Sequence, residues 1–197
     1  MEQSVRRSQP LSVPNLLTYA RLAAVPLLAA VMLFFNGETA RWLGLAVFAV
    51  AGVTDFLDGY IARAWGQQSP LGRMLDPIAD KLLVGAALLL LVADQTIVGW
   101  SLWAALIILS REILVSGLRE FLAELNVTVA VSRLAKYKTT LQMVALCFLI
   151  AGNAGEDVCA CATVNIGLGL LWLAALLTLY TGFDYFRAGL KYVIYDR

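Results

Sequence analysis

The chain has 197 residues, of which 60% are hydrophobic and only 15% are charged, whereas an ordinary globular domain is about a quarter charged and about half apolar. The net charge of +1 argues against a nucleic-acid-binding protein, which would carry a basic excess. Because the chain has no histidine, acid–base and metal chemistry fall to carboxylates, which favour hard cations such as Mg²⁺ or Mn²⁺ over zinc.

Six hydrophobic segments follow one another along the chain, and we predict a transmembrane helix for each within a single domain. Their expected bounds are residues 16–35, 42–63, 72–93, 96–121, 134–152 and 164–186. Residues typical of turns separate them, at 36–37, 66–70, 94–95 and 153–155. No strand-like alternation competes, and the first segment is long for a signal peptide. The sequence therefore predicts an all-α integral membrane protein with six transmembrane helices.

The charged residues predict how the helices are oriented. With the amino terminus inside, 14 of the 15 basic residues fall on the inner side, and Arg41 alone falls outside. Both termini are therefore expected in the cytoplasm, in a multi-pass protein of the inner membrane. The polar ends of the helices meet on this side and predict a wet, charged cavity. It would contain Asp55, Asp58, Asp76, Asp80, Arg111, Arg119, Lys136, Lys138 and Asp184.

Four aspartates stand in a fixed spacing at the join of the second and third segments. The pattern is Asp55-x-x-Asp58-Gly59-x-x-Ala62-Arg63, then eight residues, then Gly72-x-x-x-Asp76-x-x-x-Asp80. These spacings put each pair of carboxylates on one helical face, and antiparallel neighbours let the two pairs meet. Four carboxylates so close repel unless cations intervene, so we expect one or two divalent cations and chemistry on phosphate. The small residues leave room for a substrate, and Arg63 offers a two-pronged donor to phosphate.

This string resembles the signature of the CDP-alcohol phosphotransferases, and every fixed position of that signature is present. The resemblance implies a six-helix membrane enzyme, generally a homodimer, that transfers a phosphatidyl or similar group from a CDP-linked donor to an alcohol and releases CMP. It implies that Asp55, Asp58 and Asp76 bind the metal ions, and that Asp80 is the general base and a further metal ligand. It also implies a site for the cytidine nucleotide lined by Gly59, Ala62, Arg63 and Gly72.

Three further motifs are similar to one branch of that family, the phosphatidylglycerophosphate synthases. They are residues 14–21, 111–120 and 136–142, which read PNLLTYAR, REILVSGLRE and KYKTTLQ. In that branch the donor is CDP-diacylglycerol, the acceptor is sn-glycerol 3-phosphate, and the products are phosphatidylglycerophosphate and CMP. We expect Asn15, Thr18 and Arg21, near one face of the first helix, to contact the donor, with a helix cap by Asn15 or Thr18 as the alternative.

The basic residues of the fourth and fifth helices agree with a phosphorylated acceptor. They supply more positive charge than the donor pyrophosphate requires, and arginine forks suit phosphate. We predict an acceptor-phosphate site among Arg111, Arg119, Arg133, Lys136 and Lys138. The alternatives are an ordinary positively charged loop at 133–138 and a pairing of Arg111 with Glu112 or an aspartate.

Two other functions compete with this interpretation. A phosphatidylinositol-phosphate synthase also uses a phosphorylated acceptor, and a screen of acceptors separates the two. A cation transporter would spread its acids towards the membrane midplane and over several helices, whereas these four aspartates lie at one end of two helices. The sequence leaves open Mg²⁺ or Mn²⁺, the acyl chains preferred, the dimer interface and the role of Cys159 and Cys161.

Overall fold

The computed structural model describes residues 13–65, 70–124, 133–159 and 162–195. Within these ranges all the regular structure is helical. The helices are α1 (Val13–Phe34), α2 (Gly37–Trp65), α3 (Pro70–Ala93), α4 (Ser101–Glu124), α5 (Arg133–Cys159) and α6 (Thr163–Tyr195). The six predicted helices are thus confirmed in number and order, although several of their bounds differ.

The connection between α3 and α4 is longer than predicted. The turn at Asp94 and Gln95 is present, but α4 begins at Ser101 and not at residue 96. Gln95 and Gly99 both have positive φ angles, 60° and 56°, which a helix does not accommodate. Ile97 between them is fully buried. Ile97 therefore belongs to the core, whereas Val98 and Trp100 of the same loop are exposed. Hydropathy alone did not distinguish this apolar loop from the start of a helix.

A kink replaces the predicted end of the fifth helix. Gly152 has φ 53° and ψ −140°, yet α5 continues beyond it to Cys159. Such a residue turns the next amide away from its usual acceptor four residues earlier, the carbonyl of Leu149. NH1 of Arg41 donates to that carbonyl at 3.2 Å. The arginine of α2 thus contacts the backbone of α5 next to the kink.

Arg41 also ties this end of the bundle to the loop after α3. It forms an ion pair with Asp94 and donates to the hydroxyl of Thr96 at 2.9 Å. The hydroxyl of Thr96 in turn donates to Asp94 at 2.9 Å. One guanidinium therefore connects α2, the α3–α4 loop and α5.

The helices pack around a continuous apolar core. α1 packs against α2 and α3, α5 packs against α2 and α6, and α4 packs mainly against α6. Leu28, Phe48, Leu91, Ile108 and Leu171 are fully buried in this core. Large apolar side chains also cover the outside of the bundle, among them Val50, Leu89, Leu114 and Phe183. An apolar exterior of this extent suits a bundle surrounded by lipid.

Four of the helices are long and apolar enough to cross a membrane within the described parts of the chain. These are α1, α4, α5 and α6. The helices that carry the aspartates, α2 and α3, are not among these four. They have 29 and 24 residues, so each is about 36 Å or more in length, against roughly 30 Å of hydrocarbon in a bilayer. The chain is a multi-pass membrane protein.

Candidate active site

The first helix supplies two buried polar side chains to one end of the bundle. Thr18 and Arg21 are one helical turn apart, and each is 1% exposed. Because residues i and i+3 lie on the same helical face, both side chains face the neighbouring helices α2 and α3. Asn15, one turn earlier, is also buried. This end of α1 therefore presents a polar face to the interior.

Arg21 brings the acids of α2 and α3 together. Its NH1 lies 2.9 Å from Oδ1 of Asp55 and 3.0 Å from Oδ1 of Asp80. The arginine side chain is fully buried, whereas the two carboxylates are 44% and 48% exposed. The aspartates thus combine a fixed inner contact with an outer side that solvent or a substrate can reach.

Thr18 makes a parallel contact with the third aspartate. Its hydroxyl donates to Oδ1 of Asp76 at 2.5 Å. Asp76 and Asp80 are one turn apart on α3, so their contacts to Thr18 and Arg21 match turn for turn along the two helices. α1 and α3 are therefore held in register by polar contacts at this end of the bundle, which we call the aspartate end.

The ligand chemistry of the aspartate end fits a hard divalent cation. The converging side chains offer only carboxylate and hydroxyl oxygens, which are the ligands that Mg²⁺ and Mn²⁺ prefer. Among the side chains that the structure describes, no three acidic, cysteine or histidine residues are close enough to form a metal site by themselves. The side chain of Asp58, the fourth predicted ligand, lies outside the described part of the chain.

A second charged cluster joins α4, α5 and α6. Lys138 of α5, only 4% exposed, forms an ion pair with Oε1 of Glu112 on α4. NH1 of Arg111 lies 3.6 Å from the same oxygen. NH2 of Arg111 donates to the hydroxyl of Thr181 on α6 at 3.3 Å. Two cations therefore share one carboxylate, and these three side chains together carry a net positive charge.

Close packing against α6 fixes the stem of Arg111. A β-carbon at Gly182 would lie 2.9 Å from Cγ of Arg111 and 3.2 Å from its Nε. Glycine at this position thus allows the arginine to pass directly over the backbone of α6. Its Nε is buried and has no hydrogen-bond partner among the described groups.

The aspartate end and the basic cluster lie at the same end of the bundle. Thr18 is near the start of α1, Asp76 is near the start of α3, and Lys138 is near the start of α5. Arg111 lies at the middle of α4 and Thr181 just past the middle of α6, and the second halves of both helices return to this end. α3, which carries Asp76 and Asp80, is also in contact with α5. Acids and cations therefore border one region.

The comparison with known sequences agrees with this arrangement. Residues 11–180 match the profile of the CDP-alcohol phosphatidyltransferase family. The chain belongs to the CDP-alcohol phosphatidyltransferase family. Curated proteins named CDP-diacylglycerol–glycerol-3-phosphate 3-phosphatidyltransferase are similar to it over most of their length. The protein from Rickettsia bellii is 48% identical over 92% of this chain and 97% of its own length. The protein from Cereibacter sphaeroides is 40% identical over 92% of this chain and 97% of its own length. The protein from Haemophilus influenzae is 38% identical over 89% of this chain and 92% of its own length.

The structure describes only part of the donor site expected of a CDP-alcohol phosphatidyltransferase. Gly72 is buried near the start of α3. Gly59, Ala62 and Arg63 lie on α2, one to two turns beyond Asp55, and their side chains are outside the described part of the chain. Thr18 and Arg21 make contacts with aspartates of the neighbouring helices. Their predicted contact with the donor stays a prediction.

The predicted acceptor residues are divided in a similar way. Arg111 and Lys138 share the basic cluster, whereas Arg119 is exposed farther along α4. The side chains of Arg133 and Lys136, on the first turn of α5, lie outside the described part of the chain, as does that of Asp184. Sequence reasoning named Glu112 only as a possible partner of Arg111, and it missed Thr181 and Gly182. Neither has a motif that distinguishes it from other small residues of a membrane helix.

Proposed function

We propose that this protein transfers the phosphatidyl group of CDP-diacylglycerol to sn-glycerol 3-phosphate, giving phosphatidylglycerophosphate and CMP. The observation that carries the proposal is the contact of one Arg21 nitrogen with Asp55 and Asp80, since it gathers acids of two helices at the end of the bundle that also holds the basic cluster. The names of the similar curated proteins support this choice of donor and acceptor.

The basic cluster supports a phosphorylated acceptor. Among the side chains that the structure describes, Glu112 is the one acid paired with Arg111 and Lys138. A partly buried net charge is costly unless an anion compensates for it. The phosphate of glycerol 3-phosphate is such an anion. A serine or neutral inositol acceptor offers no comparable group. We propose that these two cations hold the acceptor phosphate, and that Arg119, Arg133 and Lys136 supply further positive charge around it.

Asp80 is proposed as the general base. Its carboxylate is held by Arg21 on one side and is about half exposed, so an acceptor hydroxyl can approach it. As the C1 oxygen of the acceptor attacks the phosphorus that bears diacylglycerol, Asp80 takes the hydroxyl proton. The bond between the two phosphates breaks and its electron pair leaves with CMP. The hydroxyl oxygen becomes the new ester oxygen, so atoms and charges balance.

The donor and metal sites are proposed from the family signature. Gly59, Ala62, Arg63 and Gly72 would line the nucleotide site, with Asn15 at its edge. One or two Mg²⁺ or Mn²⁺ ions would be held by Asp55, Asp58, Asp76 and Asp80. When bound, they would neutralise the charge of the phosphates. The oxygen-only ligands and the absence of histidine support this choice of ion.

We further propose that all six helices cross the inner membrane, with both termini and the active site on the cytoplasmic side. The excess of basic residues at the aspartate end supports this orientation. The acyl chains of the donor would then remain in the lipid while its pyrophosphate reaches the aspartates. A homodimer is proposed from the family resemblance alone.

The test is CMP release from CDP-diacylglycerol by the purified full-length protein, with glycerol 3-phosphate, inositol phosphate or no acceptor. We expect release only with glycerol 3-phosphate, its loss in EDTA and its recovery when Mg²⁺ or Mn²⁺ is added in excess. Release with inositol phosphate in preference to glycerol 3-phosphate would identify the other branch of the family. No release with any acceptor would contradict the proposal.

A further inference from the structure

Arg21 is the largest fully buried polar side chain in the described part of the chain. A guanidinium in the interior of a helix bundle is unfavourable unless anions and hydrogen-bond acceptors surround it. The acceptors here come from two other helices, Asp55 on α2 and Asp80 on α3. The arginine therefore occupies a position that only an acidic environment makes stable.

The contact with Arg21 also stabilises the two aspartates. Carboxylates brought together repel one another, and each gains from any cation placed between them. NH1 of Arg21 lies at 2.9 Å and 3.0 Å from one oxygen of each. It is thus a cation built into the chain, in contact with two residues of the proposed metal-binding set.

We propose that Arg21 is a positioning residue that acts as the internal counter-cation of the aspartates, holding Asp55 and Asp80 in a common arrangement whether or not divalent cations are bound. The hydroxyl of Thr18 does the same for Asp76 without adding charge. α1 thereby becomes part of the site although it supplies none of the signature aspartates. The inference rests on the proposed function only in taking these acids as the ligands of divalent cations.

The role proposed for Arg21 predicts how the unfolding temperature depends on Mg²⁺. Arg21 and a divalent cation both neutralise the same carboxylates, so the protein that lacks Arg21 must depend more strongly on the cation for its stability. We therefore expect Arg21→Gln to unfold at a lower temperature than the unmodified protein in EDTA. Addition of Mg²⁺ should raise that temperature more in Arg21→Gln than in the unmodified protein. Arg21→Lys, which keeps the charge but offers a different donor geometry, should lie between them.

The matched control is Arg41→Gln. Arg41 is also an arginine paired with an aspartate and a backbone carbonyl, but it lies at the opposite end of the bundle. Its substitution should lower the unfolding temperature by the same amount in EDTA and in Mg²⁺. If Arg21→Gln behaves like Arg41→Gln, with no additional response to Mg²⁺, Arg21 is an ordinary structural ion pair and the inference is wrong.

A second variant covers the case in which Arg21→Gln does not fold. The double variant Arg21→Gln/Asp55→Asn removes one carboxylate together with its counter-cation. We expect it to fold in EDTA and to unfold at a higher temperature than any Arg21→Gln protein that can be recovered. Failure of this variant to improve on the single substitution would overturn the inference.

These measurements follow thermal unfolding of the full-length protein in detergent micelles and require no turnover. The inference and the proposed function can therefore fail separately. A larger Mg²⁺ response in Arg21→Gln, combined with no CMP release from the unmodified protein, would support the role of Arg21 as counter-cation and contradict the proposed reaction. CMP release from the unmodified protein without a larger Mg²⁺ response in Arg21→Gln would support the reaction and show that Arg21 is a structural residue.

Discussion

Glu112 of α4 forms an ion pair with Lys138 of α5, and the same carboxylate oxygen lies 3.6 Å from the guanidinium of Arg111. One acid thus holds two of the cations that we assign to the acceptor phosphate. Because Lys138 is nearly fully buried, its charge depends on this partner. The pair also joins the middle of α4 to the start of α5, two helices that are connected in the chain by a segment outside the described residues.

Loss of the Glu112 charge should destabilise the bundle. We expect Glu112→Gln to reduce the free energy of unfolding by about 1–3 kcal/mol, because a buried lysine is left without its charged partner. Glu120→Gln is the control, since Glu120 is exposed on the same helix and should change stability by less than about 0.5 kcal/mol. Reversible unfolding in mixed micelles measures both, and equal effects would mean that the Glu112 ion pair contributes nothing specific.

Asp80→Asn should abolish most of the CMP release. Loss of a general base lowers turnover by about 10²–10⁴-fold, and asparagine cannot accept the hydroxyl proton at neutral pH. Asp94→Asn provides the comparison, because Asp94 is also paired with an arginine but lies at the other end of the bundle. It should retain turnover close to that of the unmodified protein. Near-normal turnover in Asp80→Asn would remove this residue from the role of base.

Gly182→Ala should weaken the acceptor site while leaving the fold intact. Its methyl group would lie 2.9 Å from Cγ of Arg111, so the arginine stem must move. We expect the KM for glycerol 3-phosphate to rise about tenfold, equivalent to roughly 1.4 kcal/mol, with a smaller change in kcat. Gly169→Ala on the same helix meets no atom within 4 Å and should leave both parameters unchanged. A KM for CDP-diacylglycerol that rises instead would place Arg111 at the donor.

Gly152→Ala should destabilise the end of the bundle opposite the aspartates. Alanine is strained at φ 53°, and its β-carbon would lie 3.0 Å from Cζ of Arg41. Strain of about 1–3 kcal/mol would add to the loss of the arginine contacts. Gly37→Ala isolates the strain, because Gly37 has φ 66° with open space around it. We expect the larger loss of stability in Gly152→Ala, measured by thermal unfolding; equal losses would show that the Arg41 contact contributes little.

The number and order of the helices could be predicted because the pattern of apolar segments and turn residues depends on local properties. Their ends could not be predicted as well. Ile97 was assigned to a helix because hydropathy does not distinguish a helix from a buried loop. The fifth helix was expected to end at residue 152 because Asn153 and Gly155 are typical of turns, and this was wrong, since α5 continues through them to Cys159. α6 extends to Tyr195, beyond the predicted residue 186, although its later turns carry charged residues.

The sequence by itself determined the chemistry: oxygen ligands without histidine, four aspartates at helical spacing, and cations concentrated at one end of an apolar chain. Spacing within a helix is fixed by the 3.6-residue period, so it can be read without a fold. Only the tertiary structure decided which groups of different helices touch. Three such contacts depend on how the helices rotate and pack against one another: Arg21 with Asp55 and Asp80, Thr18 with Asp76, and Glu112 with Lys138. Those contacts join residues distant in sequence, and no local pattern encodes them.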